Sequence, residues 1–106
     1  MEMNLLNAIF LGDVMNFINN LPLTDQSKVI GAATALGKGE FQSVYVKQLR
    51  GDIKELRVKR YRLIFFIHGH NICFTRIFIK KTNKTPRKEI ELALKSYKLF
   101  VNKNTP

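Results

Sequence analysis

Between Ile53 and Ile79 the chain reads as three β-rich runs separated by two short breaks, and nothing else in the sequence constrains the fold as much. The runs are Ile53 to Val58, Tyr61 to Ile67 and Ile72 to Ile79, rich in Ile, Val, Phe and Tyr. Lys59-Arg60 and Gly69-His70 stand where hairpin turns should lie. Breaks this short can join only antiparallel neighbours. The middle run is apolar on both faces, so both faces of the sheet should be covered.

Helical patterns lie on either side. Asp13 is a candidate N-cap for Val14, Phe17, Ile18 and Leu21, which follow at helical spacing. Pro22 should end that helix. Thr24 reads as the next cap, with Asp25 in the first turn, where the helix dipole favours an anion. Val29, Ile30, Ala33 and Leu36 continue one apolar face until Gly37 and Gly39. Residues 13–37 therefore read as a helical hairpin. Residues 1–11 read as either a first strand or a leading helical turn, and Phe41 to Leu49 as a loop or short extended piece. Thr85 should cap a last helix with Pro86 at its first position. Ile90, Ala93, Leu94 and Tyr97 give that helix a buried stripe, and Asn102 to Pro106 should fray. The expected architecture is α+β: a helical hairpin packed on an antiparallel sheet of three to four strands, with a C-terminal helix, in one domain over residues 1–106.

Charge narrows the partners. Eighteen Lys and Arg against eight Asp and Glu give a formal +10. Residues 1–46 hold two basic and four acidic side chains, whereas residues 47–106 hold sixteen basic and four acidic. A field so lopsided attracts a polyanion, and nucleic acid is the expected one. Cys73 is the sole cysteine, so no intrachain disulfide forms, in keeping with a reducing compartment. The apolar run Leu63 to Ile67 is too short to span a bilayer. No basic residue precedes Leu5 to Leu11, so no signal peptide is read there. A soluble, cytoplasmic protein is expected.

Hairpin arithmetic sharpens the expectation. A two- or four-residue loop at Lys59-Arg60 sets Arg57 directly opposite Arg62, where like charges repel. An anion held between them would turn that repulsion into a clamp. A two-residue loop at Gly69-His70 sets Arg62 opposite Ile77. Ile79 and Lys81 then share its face, and Lys80 points the other way. One register slip would exchange the two lysines. Arg57, Arg62 and one of the lysine pair thus form a candidate phosphate patch near the start of the last helix. Backbone N–H groups at that helix N-terminus would add to it.

The segment Leu49 to Phe100 resembles the RelE/ParE toxin superfamily, in particular its phage-derived, HigB-like branch. The resemblance rests on Leu49-Arg50-Gly51, Glu55-Leu56-Arg57, Tyr61-Arg62, Phe78-Ile79-Lys80-Lys81-Thr82 and Thr85-Pro86, five short motifs in order over about half the chain. It implies the toxin of a type II toxin–antitoxin pair, a ribosome-dependent endoribonuclease that cuts messenger RNA in the 70S ribosomal A site. Neither metal nor cofactor is implied. A neighbouring helix-turn-helix antitoxin is the implied protein partner. By motif position Arg57, Arg62, Lys80 and Lys81 inherit the catalytic or phosphate-binding role, and Lys47, Arg50, Lys54, Arg76 and Lys84 become RNA contacts. The implied reaction is attack by a ribose 2′-OH on the adjacent phosphate, leaving a 2′,3′-cyclic phosphate and a 5′-OH. Crowding by like charges is the expected route by which a lysine here becomes a base. Two features depart from the family pattern. The usual first strand is weak or missing in residues 1–11, and Thr85 to Lys88 includes neither the tyrosine nor the histidine that some members carry there.

Other residues read more plainly. His68 and His70 flank a turn at the far end of the hairpin from Lys81, Cys73 reads as core, and so does the Phe65, Phe66, Phe74 and Phe78 set. Glu55 shares a face with Arg57 and reads as an ion-pair partner that orients it. Two rival functions stand beside the nuclease: a catalytically degenerate module that only binds antitoxin or RNA, and a gyrase inhibitor of the ParE type.

Overall fold

The computed structural model describes residues 5–104. The elements run β1 (Asn7–Phe10), α1 (Val14–Asn19), α2 (Leu23–Gly37), a single 3-10 turn (Phe41–Ser43), β2 (Tyr45–Arg50), β3 (Ile53–Val58), β4 (Tyr61–His68), β5 (Asn71–Ile79) and α3 (Arg87–Lys103). One five-stranded sheet has the order β1-β5-β4-β3-β2. The α+β expectation holds, with two more strands than the three read from the β-rich runs. β2 to β5 form an antiparallel meander, and β1 joins β5 in parallel.

Both edge strands explain why they were hard to read. β1 spans four residues and is held from two sides: Leu6 N–H donates to Gly37 O (2.8 Å) and Asn7 N–H to His70 O (2.7 Å). β2, YVKQLR, lies within the stretch read as a loop or short extended piece. As an edge strand it is largely exposed, so it lacks a continuous apolar run. Residues 1–4 of the ambiguous N-terminal stretch, and residues 105–106 of the tail expected to fray, lie outside the described residues. The last helix is longer than expected and continues to Lys103.

The sheet carries a core on each face, as the apolar middle strand required. Toward α1 and α2 it packs Leu56, Leu63, Phe65 and Phe74 against Val14, Ile18, Val29, Ala33 and Leu36. Toward α3 it packs Ile53, Ile64, Phe66 and Cys73 against Ala93, Leu94, Tyr97 and Phe100. Burying a side chain such as Phe66 or Leu63 contributes about 1.5–3 kcal/mol. Alternation along β3 and β4 therefore sends Glu55, Arg57 and Arg62 to the α3 face, just beyond the cover that α3 supplies.

The expected caps differ. α2 starts at Leu23 with Pro22 in the N-cap position, and α3 starts at Arg87 with Pro86 there. Neither Thr24 nor Thr85 makes a cap hydrogen bond. A proline lacks the N–H that a helix start leaves unpaired, so it can stand at the entry without losing a bond. Thr85 is thereby released for a different contact.

Asp25 does lie in the first turn of α2, but its surroundings exceed a dipole effect. It is buried, and its carboxylate accepts from Lys59 Nζ (2.6 Å) and from Tyr61 Oη (2.6 Å). Those two bonds, the lysine's first, hold the Asp25 carboxyl below its ordinary value. The contact ties α2 to the β3–β4 turn, where Lys59 adopts a left-handed φ of 53°. That conformation costs a residue with a Cβ about 1–2 kcal/mol, and the tether to Asp25 holds the side chain of the same residue.

Candidate phosphate-binding site

The β3–β4 register is the expected one: Arg57 stands directly opposite Arg62. The β4–β5 register starts as expected, with His68 opposite Asn71 and Phe65 opposite Phe74. It then slips. Thr75 is the extra residue of a β-bulge, and beyond it Ile64 pairs with Arg76, Leu63 with Ile77 and Arg62 with Phe78. The expected pairing of Arg62 with Ile77 is thus off by one. The slip persists past the strand, because Lys80 N–H donates to Arg60 O at 2.7 Å. Phe78 and Lys80, rather than Ile79 and Lys81, therefore continue the face of Arg62.

The site is a cleft lined by Glu55, Arg57, Arg62, Phe78 and the segment Lys80 to Pro86. Its lining holds five cations, Arg57, Arg62, Lys80, Lys81 and Lys84, and a single carboxylate, Glu55. Glu55 is 1% exposed. Its Oε1 accepts from Arg57 Nε at 3.1 Å, and its Oε2 accepts from the Thr85 hydroxyl. Both carboxylate oxygens are therefore engaged, one fixing an arginine and the other fixing the approach to α3. The ion-pair reading of Glu55 holds, and the Thr85 bond was not legible because the helix-start pattern assigned that hydroxyl to a cap. Thr82 Oγ1 donates to Lys84 O at 2.8 Å, which folds the connecting segment back on itself.

Arg62 is 8% exposed, and its Nη1 donates to Lys59 O and Tyr61 O, each at 2.9 Å. Among the described residues no carboxylate stands within ion-pair distance of it. A buried guanidinium held by neutral carbonyls keeps its full charge uncompensated. Arg57 is held differently: besides Glu55, its guanidinium lies over the Tyr45 ring, 4.8 Å from the centroid. Tyr45 was not singled out in the sequence, because a stretch read as either loop or short extended piece gives its residues no definite face.

The remaining candidates divide. Lys84 lines the cleft. Lys47 pairs with Glu55 across β2–β3 and so shares the site's face, exposed. Arg50 closes β2 at the far turn, opposite Ile53. Lys54 alternates onto the opposite face, beside Phe65. Arg76 lies on the α3 face, but Glu89 Oε1 holds its Nε at 2.6 Å. The structure thus brings together Arg57, Arg62, Lys80, Lys81, Lys84 and Lys47, and leaves Arg50, Lys54 and Arg76 apart. His68 lies at the other end of β4, edge-on to the Phe100 ring. Cys73 is fully buried, which pushes its thiol up to about 11. No helix among the described residues is long and apolar enough to cross a membrane.

A meander flanked by helices on both faces, with this cleft at the start of α3, is a RelE-type fold. A chain of the crystal structure of the RelB-RelE antitoxin-toxin complex from Methanococcus jannaschii matches it with a TM-score of 0.57 at 16% identity, over 78% of this chain and 94% of that one. Residues 16–98 match the family described as Phage derived protein Gp49-like (DUF891), and the chain belongs to that family. It is also similar to the probable endoribonuclease HigB1 of Mycobacterium tuberculosis, in strains CDC 1551 / Oshkosh and H37Rv, with 35% identity over 66 residues. That match covers 58% of this chain and 53% of the relatives, so the chain spans about half the length of the curated relatives it matches.

Proposed function

We propose that this chain is a toxin of the type II toxin–antitoxin class, a ribosome-dependent endoribonuclease that cuts messenger RNA and so inhibits translation. The observation that carries the reading is the opposition of Arg57 and Arg62, with Lys80 and Lys81 beside them and the one lining carboxylate already engaged. Such a site favours a phosphate over any neutral ligand. The names of the HigB1 relatives and the RelE-type fold support the same reading.

In the reaction, a ribose 2′-oxygen attacks the adjacent phosphorus and the bond from phosphorus to the 5′-oxygen breaks. A 2′,3′-cyclic phosphate and a 5′-OH result, and no metal or cofactor takes part. Charge gathering on the phosphate oxygens is stabilised by Arg57, Arg62 and Lys80. The proton leaving the 2′-OH goes to the neutral amine of Lys81, and water supplies one to the departing 5′-oxygen. Alignment of the 2′-OH on the ribosome lowers the barrier by about 7 kcal/mol without help from a fast base. The protein acts as one domain in the cytoplasm, and its protein partner is a helix-turn-helix antitoxin.

The cleft lining includes neither tyrosine nor histidine, and this favours a second reading: a module that grips phosphate without chemistry. Inducible expression in a bacterium with RNA 5′-end mapping separates the two, using wild type and Arg62→Ala/Lys80→Ala/Lys81→Ala. New cuts inside translated codons, absent from the variant, support the nuclease. Growth arrest without cuts points to another target such as gyrase. Neither arrest nor cuts leaves the binding module.

A further inference from the structure

An edge strand beside a phosphate-binding cleft can carry a second subsite, and β2 has the residue for one. Tyr45 pairs with Arg57, so the two side chains stand side by side on the cleft's face of the sheet. Tyr45 is 58% exposed. A single exposed aromatic residue is ordinary in itself. What sets this one apart is the guanidinium of Arg57 over it, 4.8 Å from the centroid. That guanidinium does not swing freely. Its Nε is bound to Glu55, which is buried and bound in turn to Thr85. One face of the ring therefore has a held cation over it, while the residue as a whole stays more than half exposed.

We propose that Tyr45 is a nucleobase-stacking platform, and that the site takes single-stranded nucleic acid with a base on Tyr45 and the linked phosphate on Arg57 and Arg62. This rests on the reading of the cleft as a phosphate site for RNA. A base and its own phosphate are neighbours in a nucleotide, as the ring and the guanidinium are neighbours here. Aromatic rings beside basic grooves bind single strands by stacking, because every base has a π face. Lys47, two residues along β2 on the same face, lies where the backbone would continue. A base inside a duplex is already stacked on both sides, so the platform selects splayed, unpaired nucleotides. It tolerates any base, and base identity must be read elsewhere.

The chain has no tryptophan, so Tyr45→Trp introduces a single fluorophore at the platform. The probe is a short single-stranded oligonucleotide with 2′-O-methyl groups, which cannot be cleaved, compared with an abasic strand of equal length. Saturable quenching is expected with the base-bearing strand and not with the abasic one or with a duplex. Binding by anisotropy should weaken about tenfold in Tyr45→Leu for the base-bearing strand, the equivalent of 1.4 kcal/mol, and be retained in Tyr45→Phe. The abasic strand should bind wild type and Tyr45→Leu alike. Tight binding without quenching, or an equal loss on both strands, overturns the platform and leaves the phosphate site standing. No binding of either strand overturns both.

Discussion

Lys59 Nζ sits 2.6 Å from Asp25 Oδ1, so a helix near the start of the chain holds the turn from which Arg62 is positioned. The same turn offers Lys59 O to Arg62 and Arg60 O to the backbone of Lys80. Asp25 therefore supports the site at one remove, through backbone rather than through contact with a ligand.

The carboxyl of Asp25 lies below its ordinary range when folded. A depressed folded value means that its contribution is full above the unfolded value, about 3.9, and is lost as pH falls through the folded one. Urea denaturation of wild type and Asp25→Asn should show a stability gap that is constant between about pH 5 and 7, where the carboxyl is ionised in both states, and that closes as pH falls below about 4. A gap that persists to pH 2 would show that charge on Asp25 is not what stabilises the turn.

Glu55→Ala removes the acceptor of both Arg57 and Thr85. Leaving such groups unpaired costs on the order of 1–3 kcal/mol. Glu55→Gln keeps one carbonyl acceptor and should cost less. Equal losses in chemical denaturation would mean that the negative charge, and not the hydrogen bonding, is what the cleft requires.

Thr75 is the bulged residue, and its buried hydroxyl oxygen has no hydrogen-bond partner among the described residues. Thr75→Val keeps the branched shape and removes that polar atom. The expected outcome is a protein at least as stable as wild type, with a gain of up to about 1 kcal/mol, seen as a melting temperature a few degrees higher. A clear loss would show that the hydroxyl has a role in the bulge.

The bulge also sets the adjacent lysines apart, with Lys80 on the face of Arg62, and the proposed nuclease reading gives them unequal weight. Lys80→Ala should slow RNA cleavage by about 100-fold, as expected for removing one electrostatic stabiliser of the transition state. Lys81→Ala should slow it less. Single-turnover cleavage on programmed ribosomes makes the comparison, and a larger loss from Lys81→Ala would return the role to that residue.

The parts of this fold that the sequence disclosed are those governed by local chemistry. Two-residue turns between β-branched and aromatic runs set the β3–β4 register, and with it the opposition of Arg57 and Arg62. Glu55 followed from alternation alone. The parts that stayed hidden depend on distant partners. The bulge at Thr75 shows only in how β5 pairs with β4, and no turn residue or break in alternation marks it locally. Asp25 looked like a dipole residue because Lys59 and Tyr61 lie far along the chain. β2 stayed undecided between loop and extended piece because edge strands need little apolar character, and Tyr45 could not be given a face.

β1 lies beside β5 in space although most of the chain separates them in sequence, Asn7 standing next to Asn71. During synthesis this first strand emerges long before its neighbour exists, and it must wait with unpaired backbone until β5 is made. The lysine pair follows β5 directly. A nascent chain of this protein therefore stays without its cationic cleft until β5 and the lysine pair behind it have been made.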